Sequence, residues 1–206
     1  KLQSFSKADI AIAFAFSYAQ QGAYFVVFTL PKVTFVYDVV TSKWHERGSQ
    51  IIDTKGQAIN VRHRVNSLVT AYNDVICADS QDGRLGSLSM NTYKEYDRAI
   101  LRRFSLQPLA AMGDSFSVNS VELTMESGVG NFVQPDPEIR LSASRDGKVF
   151  SDPITRYLGK VGNYVARQVW SRLGRFPRFC VLLFEFSDPC KFRVLKLRVR
   201  RAAMIL

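Results

Sequence analysis

Alternation with a period of two constrains this chain more than any other feature. Ile10, Ile12, Phe14, Phe16 and Tyr18 are large and apolar, while Ala11, Ala13, Ala15 and Ser17 between them are small. Successive side chains of a β-strand point to opposite faces, whereas a helix repeats every 3.6 residues or so. The stretch predicts a strand with one bulky face and one small face. The small face predicts a second sheet packed closely against it, as in stacked blades.

The same period continues. Tyr24–Leu30 and Thr34–Val40 read as a hairpin joined through Pro31 and Lys32, and Thr41, Ser42 and Lys43 turn the chain into Trp44. The pattern then returns, with strands at Val75–Asp79 and Leu85–Ser89 and turns at Ser80–Gly83 and Asn91–Tyr93. Thr41 and Thr92 are 51 residues apart. A strand-rich repeat of about 50 residues is the kelch-like period of propeller blades. A plain sandwich or meander is the alternative on pattern alone. From Asp114 the rhythm changes: Ser117–Met125, Ile139–Ser144 and Val165–Trp170 read as strands, and Cys180–Phe186 with Phe192–Val199 as a long final hairpin. In the last strand the alternation slips between Val194 and Leu195, which predicts a bulge or a strand end. Asn91–Phe104 is the best helical candidate. The expected fold is all-β, with β-propeller blades over residues 1–110, about two of them, followed by a basic, β-sandwich-like unit over residues 111–206.

The charge is unevenly placed. The chain carries +10 overall, yet residues 140–206 hold 15 Lys and Arg against 4 Asp and Glu, so the basic excess lies in the last third. Such a segment suits a polyanion or an acidic protein. Arg167, Arg172 and Arg175 lie in loops and strands, and Lys196, Arg198 and Arg200 share one face of the last strand. These six are the candidate DNA- or partner-facing residues. No recognition helix, zinc finger or stacking platform is legible, so reading of base sequence is not expected.

Catalytic chemistry finds little support. The two histidines, His45 and His63, both lie in the first third, and no Cys or His stands at zinc-ligand spacing. Cys77, Cys180 and Cys190 are an odd number in apolar runs and read as reduced core residues. Ala111-Met112-Gly113-Asp114-Ser115 resembles the Gly-Asp-Ser nucleophile block of a hydrolase superfamily, but a serine nucleophile needs a base and no His follows His63. Asp136 and Glu138 flank Pro137 in a loop without the apolar surroundings that raise a carboxyl pKa. Gly159-Lys160-Val161-Gly162 lacks the strand–loop–helix frame of a phosphate loop. Asp82-Gly83 and Asp146-Gly147 are turn pairs, Asp receiving backbone N–H groups and Gly taking a positive φ. Ser144-Arg-Asp-Gly-x-x-Phe150 also looks like the Asp-box of sialidase-type propellers, where the Asp staples a hairpin. No enzyme, cofactor or metal is expected. No membrane-spanning helix is expected either, because no uncharged apolar run reaches the required length of about 18 residues.

Several ordered motifs carry a family resemblance. They are Asp136-Pro-Glu-Ile-Arg-Leu-Ser-Ala-Ser-Arg-Asp-Gly-Lys-Val-Phe-Ser-Asp, Arg156-Tyr-Leu-Gly-Lys-Val-Gly-Asn-Tyr, Val169-Trp-Ser-Arg-Leu-Gly-Arg and Phe184-Glu-Phe-Ser-Asp-Pro. In this order they resemble the C-terminal part of packaged-DNA stabilisation proteins, the tail hub or nozzle proteins of short-tailed bacteriophages. Phe35-Val-Tyr-Asp-Val-Val-Thr-Ser-Lys-Trp-His-Glu-Arg-Gly and Ala78-Asp-Ser-Gln-Asp-Gly-Arg-Leu look like their propeller blades. The resemblance implies a structural virion protein made in the bacterial cytoplasm and built into the tail as a ring of six copies. It implies contact with the portal–adaptor, with the tail needle or tailspikes, and non-specifically with packaged double-stranded DNA. It would make residues 1–206 the C-terminal portion of a longer chain. A sialidase-like or carbohydrate-binding propeller is the alternative.

Overall fold

The computed structural model describes residues 5–111 and 115–203. They divide into two units, Lys1–Arg98 and Ala99–Leu206. The division falls before the expected 110/111 boundary, because two short strands preceding that point pair within the second unit.

The first unit opens with α1 (Lys7–Ala11), where the sequence reading placed the start of a strand. A capping box explains the difference. The Asp9 backbone N–H donates to Ser6 Oγ at 3.1 Å, and the Ser6 N–H donates to Asp9 Oδ2 at 3.0 Å. The strand begins only at β1 (Phe14–Gln20), followed by β2 (Ala23–Thr29), β3 (Thr34–Asp38), β4 (Lys43–Ile52) and β5 (Ala58–Arg62) in an antiparallel sheet of that order. A second sheet comprises β6 (Val65–Ala71), β7 (Asp74–Asp79) and β8 (Leu85–Ser87). Then β9 (Lys94–Glu95) and β10 (Arg98–Ala99) form a two-stranded ribbon where a helix was the sequence expectation.

The repeat is literal in this fold. β1, β2, β3 and β4 start at residues 14, 23, 34 and 43, and β6, β7, β8 and β9 at 65, 74, 85 and 94, each 51 later. The turns repeat too. Gln21 and Gly22 hold φ of 47° and 79°, and Tyr72 and Asn73 hold 53° and 61°. Paired positive φ values give the twist that suits a two-residue hairpin loop. The two sheets meet through Tyr18, Val27 and Val36 of the first and Val75 of the second, all buried, with Phe16, Phe25, Leu68 and Leu88 around them.

The second unit is a two-sheet sandwich. One sheet has the order β11 (Arg102–Ser105), β18 (Phe179–Phe186), β14 (Glu138–Ser144), β15 (Ile154–Tyr157), with β12 (Leu109–Ala110) also on β18. In the other, β13 (Phe116–Met125) is central, flanked by β16 (Gln168–Ser171) and β17 (Arg175–Phe176) on one side and β19 (Val194–Ala203) on the other. Alternate residues fill the space between the sheets: Phe116, Val118, Val121 and Leu123 from β13, Ile139 and Leu141 from β14, Trp170 from β16, and Cys180, Leu182, Phe184 and Phe186 from β18. Each large side chain so enclosed contributes about 1.5–3 kcal/mol. The final hairpin is a correction. β18 pairs with β14, and β19 pairs with β13 in the other sheet. The link between them crosses the sandwich instead of turning tightly, with Phe186 and Phe192 stacked at 4.6 Å and Asp188 Oδ2 accepting from the Glu138 N–H at 2.7 Å.

Candidate functional site

The outer face of the β13 sheet gathers most of the basic candidates. Val121, Leu123 and Met125 of β13 point inward and are buried, so Glu122 and Thr124 point outward. β19 lies opposite in register, with Arg200 against Ser120, Arg198 against Glu122 and Lys196 against Thr124. Inward Val199 and Leu197 face Val121 and Leu123. On the far side of β13, Arg175 pairs with Ser117 and is exposed, while its neighbour Phe176 is buried. Arg167, just before β16, reaches the same face. Its Nε and Nη2 both donate to Glu122 Oε1, at 2.9 and 2.7 Å. Arg167, Arg175, Lys196, Arg198 and Arg200 therefore share one surface.

Glu122 is the carboxylate in the middle of it. Arg198 Nη1 stands 3.6 Å from Glu122 Oε2. The Arg167 hydrogen bonds, reinforced by the charges of Arg167, Arg198 and Arg200, hold the Glu122 carboxyl below its ordinary range. The face keeps a positive balance, and two of its arginines lie against Glu122. Arg175 is also tethered: Nε and Nη2 donate to Ser115 Oγ at 3.0 and 2.7 Å. The pairing slips between Val118 and Ser120 and between Thr124 and Met125, so Leu195 is the extra residue where the alternation breaks. Beyond the first slip, Arg201 turns to the other sheet and donates to the Ala110 carbonyl oxygen at 2.6 Å.

Arg172 stands apart. It takes a positive φ of 58° and its N–H donates to the Asn119 carbonyl oxygen at 2.9 Å. With Arg145, Asp146, Phe150 and Leu173 it lines an open groove of about 610 Å³.

Both Asp-Gly pairs form turns. Asp146 Oδ1 accepts the N–H groups of Lys148 at 2.8 Å and Val149 at 2.9 Å and the Ser144 hydroxyl at 2.9 Å. Those backbone bonds hold its carboxyl down at about 2. Gly147 sits at φ 73°, and Ser144 bridges Phe150 across the turn. The Asp82 carboxyl is held well below the usual range by Arg84, whose Nε donates to Oδ2 at 2.9 Å. Arg64 donates to the same oxygen at 3.1 Å and also pairs with buried Asp79. Gly83 takes φ 71°. In both turns the carboxylate is occupied by hydrogen bonds.

Among the described residues no cluster of three or more His, Cys, Asp or Glu is arranged to hold a metal ion, and no helix is long and apolar enough to cross a membrane. Cys180 and Cys190 are buried, and burial pushes their thiols up to about 11. Met112, Gly113 and Asp114 of the Gly-Asp-Ser block lie outside the described residues. Gly159 and Gly162 lie in the loop between β15 and β16, with no helix after them. Glu122 is the residue the sequence reading passed over, while Arg201 was read only as the basic residue that follows Arg200. The alternation of Val121, Leu123 and Met125 already places Glu122 outward, whereas nothing in the sequence pairs Arg201 with Ala110.

Residues 1–93 match a family model described as bacteriophage P22 Gp10, beta-propeller, and residues 102–202 match one described as bacteriophage P22 Gp10, beta-sandwich. No curated protein matches the chain.

Proposed function

The chain belongs to the bacteriophage P22 Gp10 family of phage structural proteins concerned with DNA stabilisation, and from this premise we propose that it is a component of the tail nozzle. In this reading six copies form a ring that closes or lines the DNA exit channel, retains the packaged genome and links the portal–adaptor to the tail needle or tailspikes. The first unit supplies about two blades of a larger propeller, and the basic β unit follows it. The role is structural and not enzymatic.

The observation that carries the DNA contact is the outer face of the β13 sheet, where Arg167, Arg175, Lys196, Arg198 and Arg200 surround a single glutamate, Glu122. Cations on a flat sheet, without a helix to enter a groove, suit phosphate contact and not base reading. Arg172 is left out of this surface.

Electron microscopy of the native assembly, with symmetry left free, tests the reading. It expects a ring with an axial channel, joined to a portal-like complex, with the β13 sheet facing DNA. A lone propeller without ring or particle would overturn it. In solution, binding of the chain to double-stranded DNA should weaken steeply with salt, and replacing Lys196, Arg198 and Arg200 together by Ala should reduce the log–log slope by up to about 3.

A further inference from the structure

Two loops at one end of the sandwich carry the three most exposed large apolar side chains among the described residues of the second unit. The loop 126–137 joins β13 to β14 and presents Phe132 and Val133, exposed at 108 and 72%. The loop 158–167 joins β15 to β16 and presents Val161, Tyr164 and Val165, exposed at 59, 75 and 87%. The loops touch. A Cβ at Gly128 would stand 3.0 Å from the Tyr164 ring and 3.2 Å from the Asn163 carbonyl oxygen, and the Leu158 N–H donates to the Pro137 carbonyl oxygen at 2.7 Å. Scattered single apolar residues are ordinary on a protein surface, whereas apolar groups gathered on one exposed patch mark a protein or membrane contact.

The chemistry of the tips separates the two kinds of contact. In this strongly charged unit, residues 130–135 carry no charge and residues 160–166 carry one, the exposed cation Lys160. The nearest carboxylates in the first loop, Glu126 and Asp136, stand at its base, and Glu126 is paired with Lys191 at 2.9 Å. The polar groups of the tips are turned inward. Asn131 Oδ1 accepts the N–H groups of Val133 at 3.0 Å and Gln134 at 2.8 Å, the Asn131 N–H donates to the Gln134 carbonyl oxygen at 2.9 Å, and the Asn131 amide donates to the Pro189 carbonyl oxygen at 2.7 Å. In the second loop the Asn163 N–H donates to the Lys160 carbonyl oxygen at 2.8 Å. These turns spend their own hydrogen bonds, so little directional polarity is left for a protein partner, and their backbone is partly satisfied where water is scarce. Aromatic rings, valines and a long-stemmed lysine beside them suit the boundary between lipid headgroups and acyl chains, where Tyr sits with one end wet and Lys reaches back to the headgroups.

We propose that the paired loop tips, with Phe132, Val133, Tyr164 and Val165 at their ends, are a membrane-contact site that inserts shallowly into a lipid bilayer. The chain lies on the bilayer there and does not span it. The turns are already closed by their own hydrogen bonds, so the tips enter as rigid wedges with little left to order. Lys160 adds an attraction to anionic headgroups at the rim of the contact. This goes beyond the nozzle reading and does not rest on it: a chain that binds bilayers without forming a ring keeps this site, and a ring that ignores bilayers loses it.

Flotation of the full chain with vesicles of phosphatidylethanolamine and phosphatidylglycerol tests it. High salt screens the attraction of the basic β13 sheet for anionic headgroups and leaves apolar insertion in place. Under those conditions the chain should float with the vesicles, and the double variant Phe132→Asp with Val165→Asp should float at least about 10-fold less. Both positions are exposed, so an unchanged Tm is expected. Arg198→Ala with Arg200→Ala should float like the unsubstituted chain. A chain that stays with the unbound protein, or a double Asp variant that floats equally well, would overturn the proposal. A second measurement needs no loss of binding: p-benzoylphenylalanine in place of Phe132, irradiated in the native assembly with the same vesicles, should crosslink to lipid. A crosslink to another protein chain instead would reject the bilayer as the partner.

Discussion

The indole Nε1–H of Trp170 donates to the carbonyl oxygen of Ile154 at 2.7 Å, so β16 of one sheet is bonded to β15 of the other. The same ring is fully buried and meets Phe184 edge-on at 5.6 Å. A single side chain thus fills the sandwich core and ties its two layers along one side.

Trp170→Ala should cost about 3–5 kcal/mol, from the lost ring and the cavity left behind. Trp170→Phe should keep most of the packing and cost about 1–3 kcal/mol, because the Ile154 carbonyl loses its buried donor. Urea titrations of both variants check this through the shift in midpoint at unchanged m-value. Equal losses would mean that the hydrogen bond, and not the ring volume, holds the layers.

Asp146 supports a turn, so its substitutions should act on stability. Asp146→Ala removes the acceptor for Lys148 and Val149 and should lower Tm by a few degrees, while Asp146→Asn retains a side-chain oxygen and should lose less. Its folded pKa, about 2, lies below the ordinary 3.8. Its contribution is therefore present above pH 3.8 and lost as pH falls towards 2. Calorimetry of the three proteins across that range checks both points.

His63 should make the first unit acid-sensitive at a higher pH. Burial, with Arg47, Arg62 and Arg64 nearby, lowers its pKa from 6.5 to about 4. Between those values the unfolded chain binds a proton that the folded chain refuses. Stability should then fall by on the order of 2–3 kcal/mol as pH drops from 6.5 to 4, and no further from this group below that. His45 is shifted the same way, so the comparison is with His63→Gln, which should flatten the larger part of the slope. An unchanged slope in that variant would remove His63 as the cause.

Glu122→Gln should tighten binding of the chain to double-stranded DNA several-fold and steepen its salt dependence, because Arg167 and Arg198 lose their carboxylate partner. A filter-binding or anisotropy titration at several salt concentrations measures this. Asp152→Asn, which removes the same charge away from that sheet, serves as the control and should change affinity much less.

Much of this was legible along the chain. The two-residue period of Phe14–Tyr18 gave the first strand, the spacing of Thr41 and Thr92 gave the repeat, and the break at Val194–Leu195 gave a bulge that the register of β19 contains. Local chemistry overrode the period at Lys7–Ala11, where the Ser6–Asp9 capping box closes a helical turn. Two short paired strands also stand at 94–99, within the stretch that was the best helical candidate. Strand pairing was less legible than strand existence. Cys180–Phe186 and Phe192–Val199 look like a hairpin because they are close in sequence, yet their inward faces belong to opposite layers.

The sequence by itself determined the all-β class, the 51-residue repeat, the turn role of the Asp-Gly pairs and the basic bias of the last third. Each is local: alternation, spacing, turn chemistry and charge count act between residues near one another in the chain. Only the tertiary structure decided which cations share a surface, because that depends on strands far apart in sequence. It put Glu122 between Arg167 and Arg198, separated Arg172 from them, and covered Val75 while leaving Tyr24 bare. Two residues 51 apart can carry the same local signal and still meet different surroundings, since burial is set by what packs against a face and not by the strand that forms it.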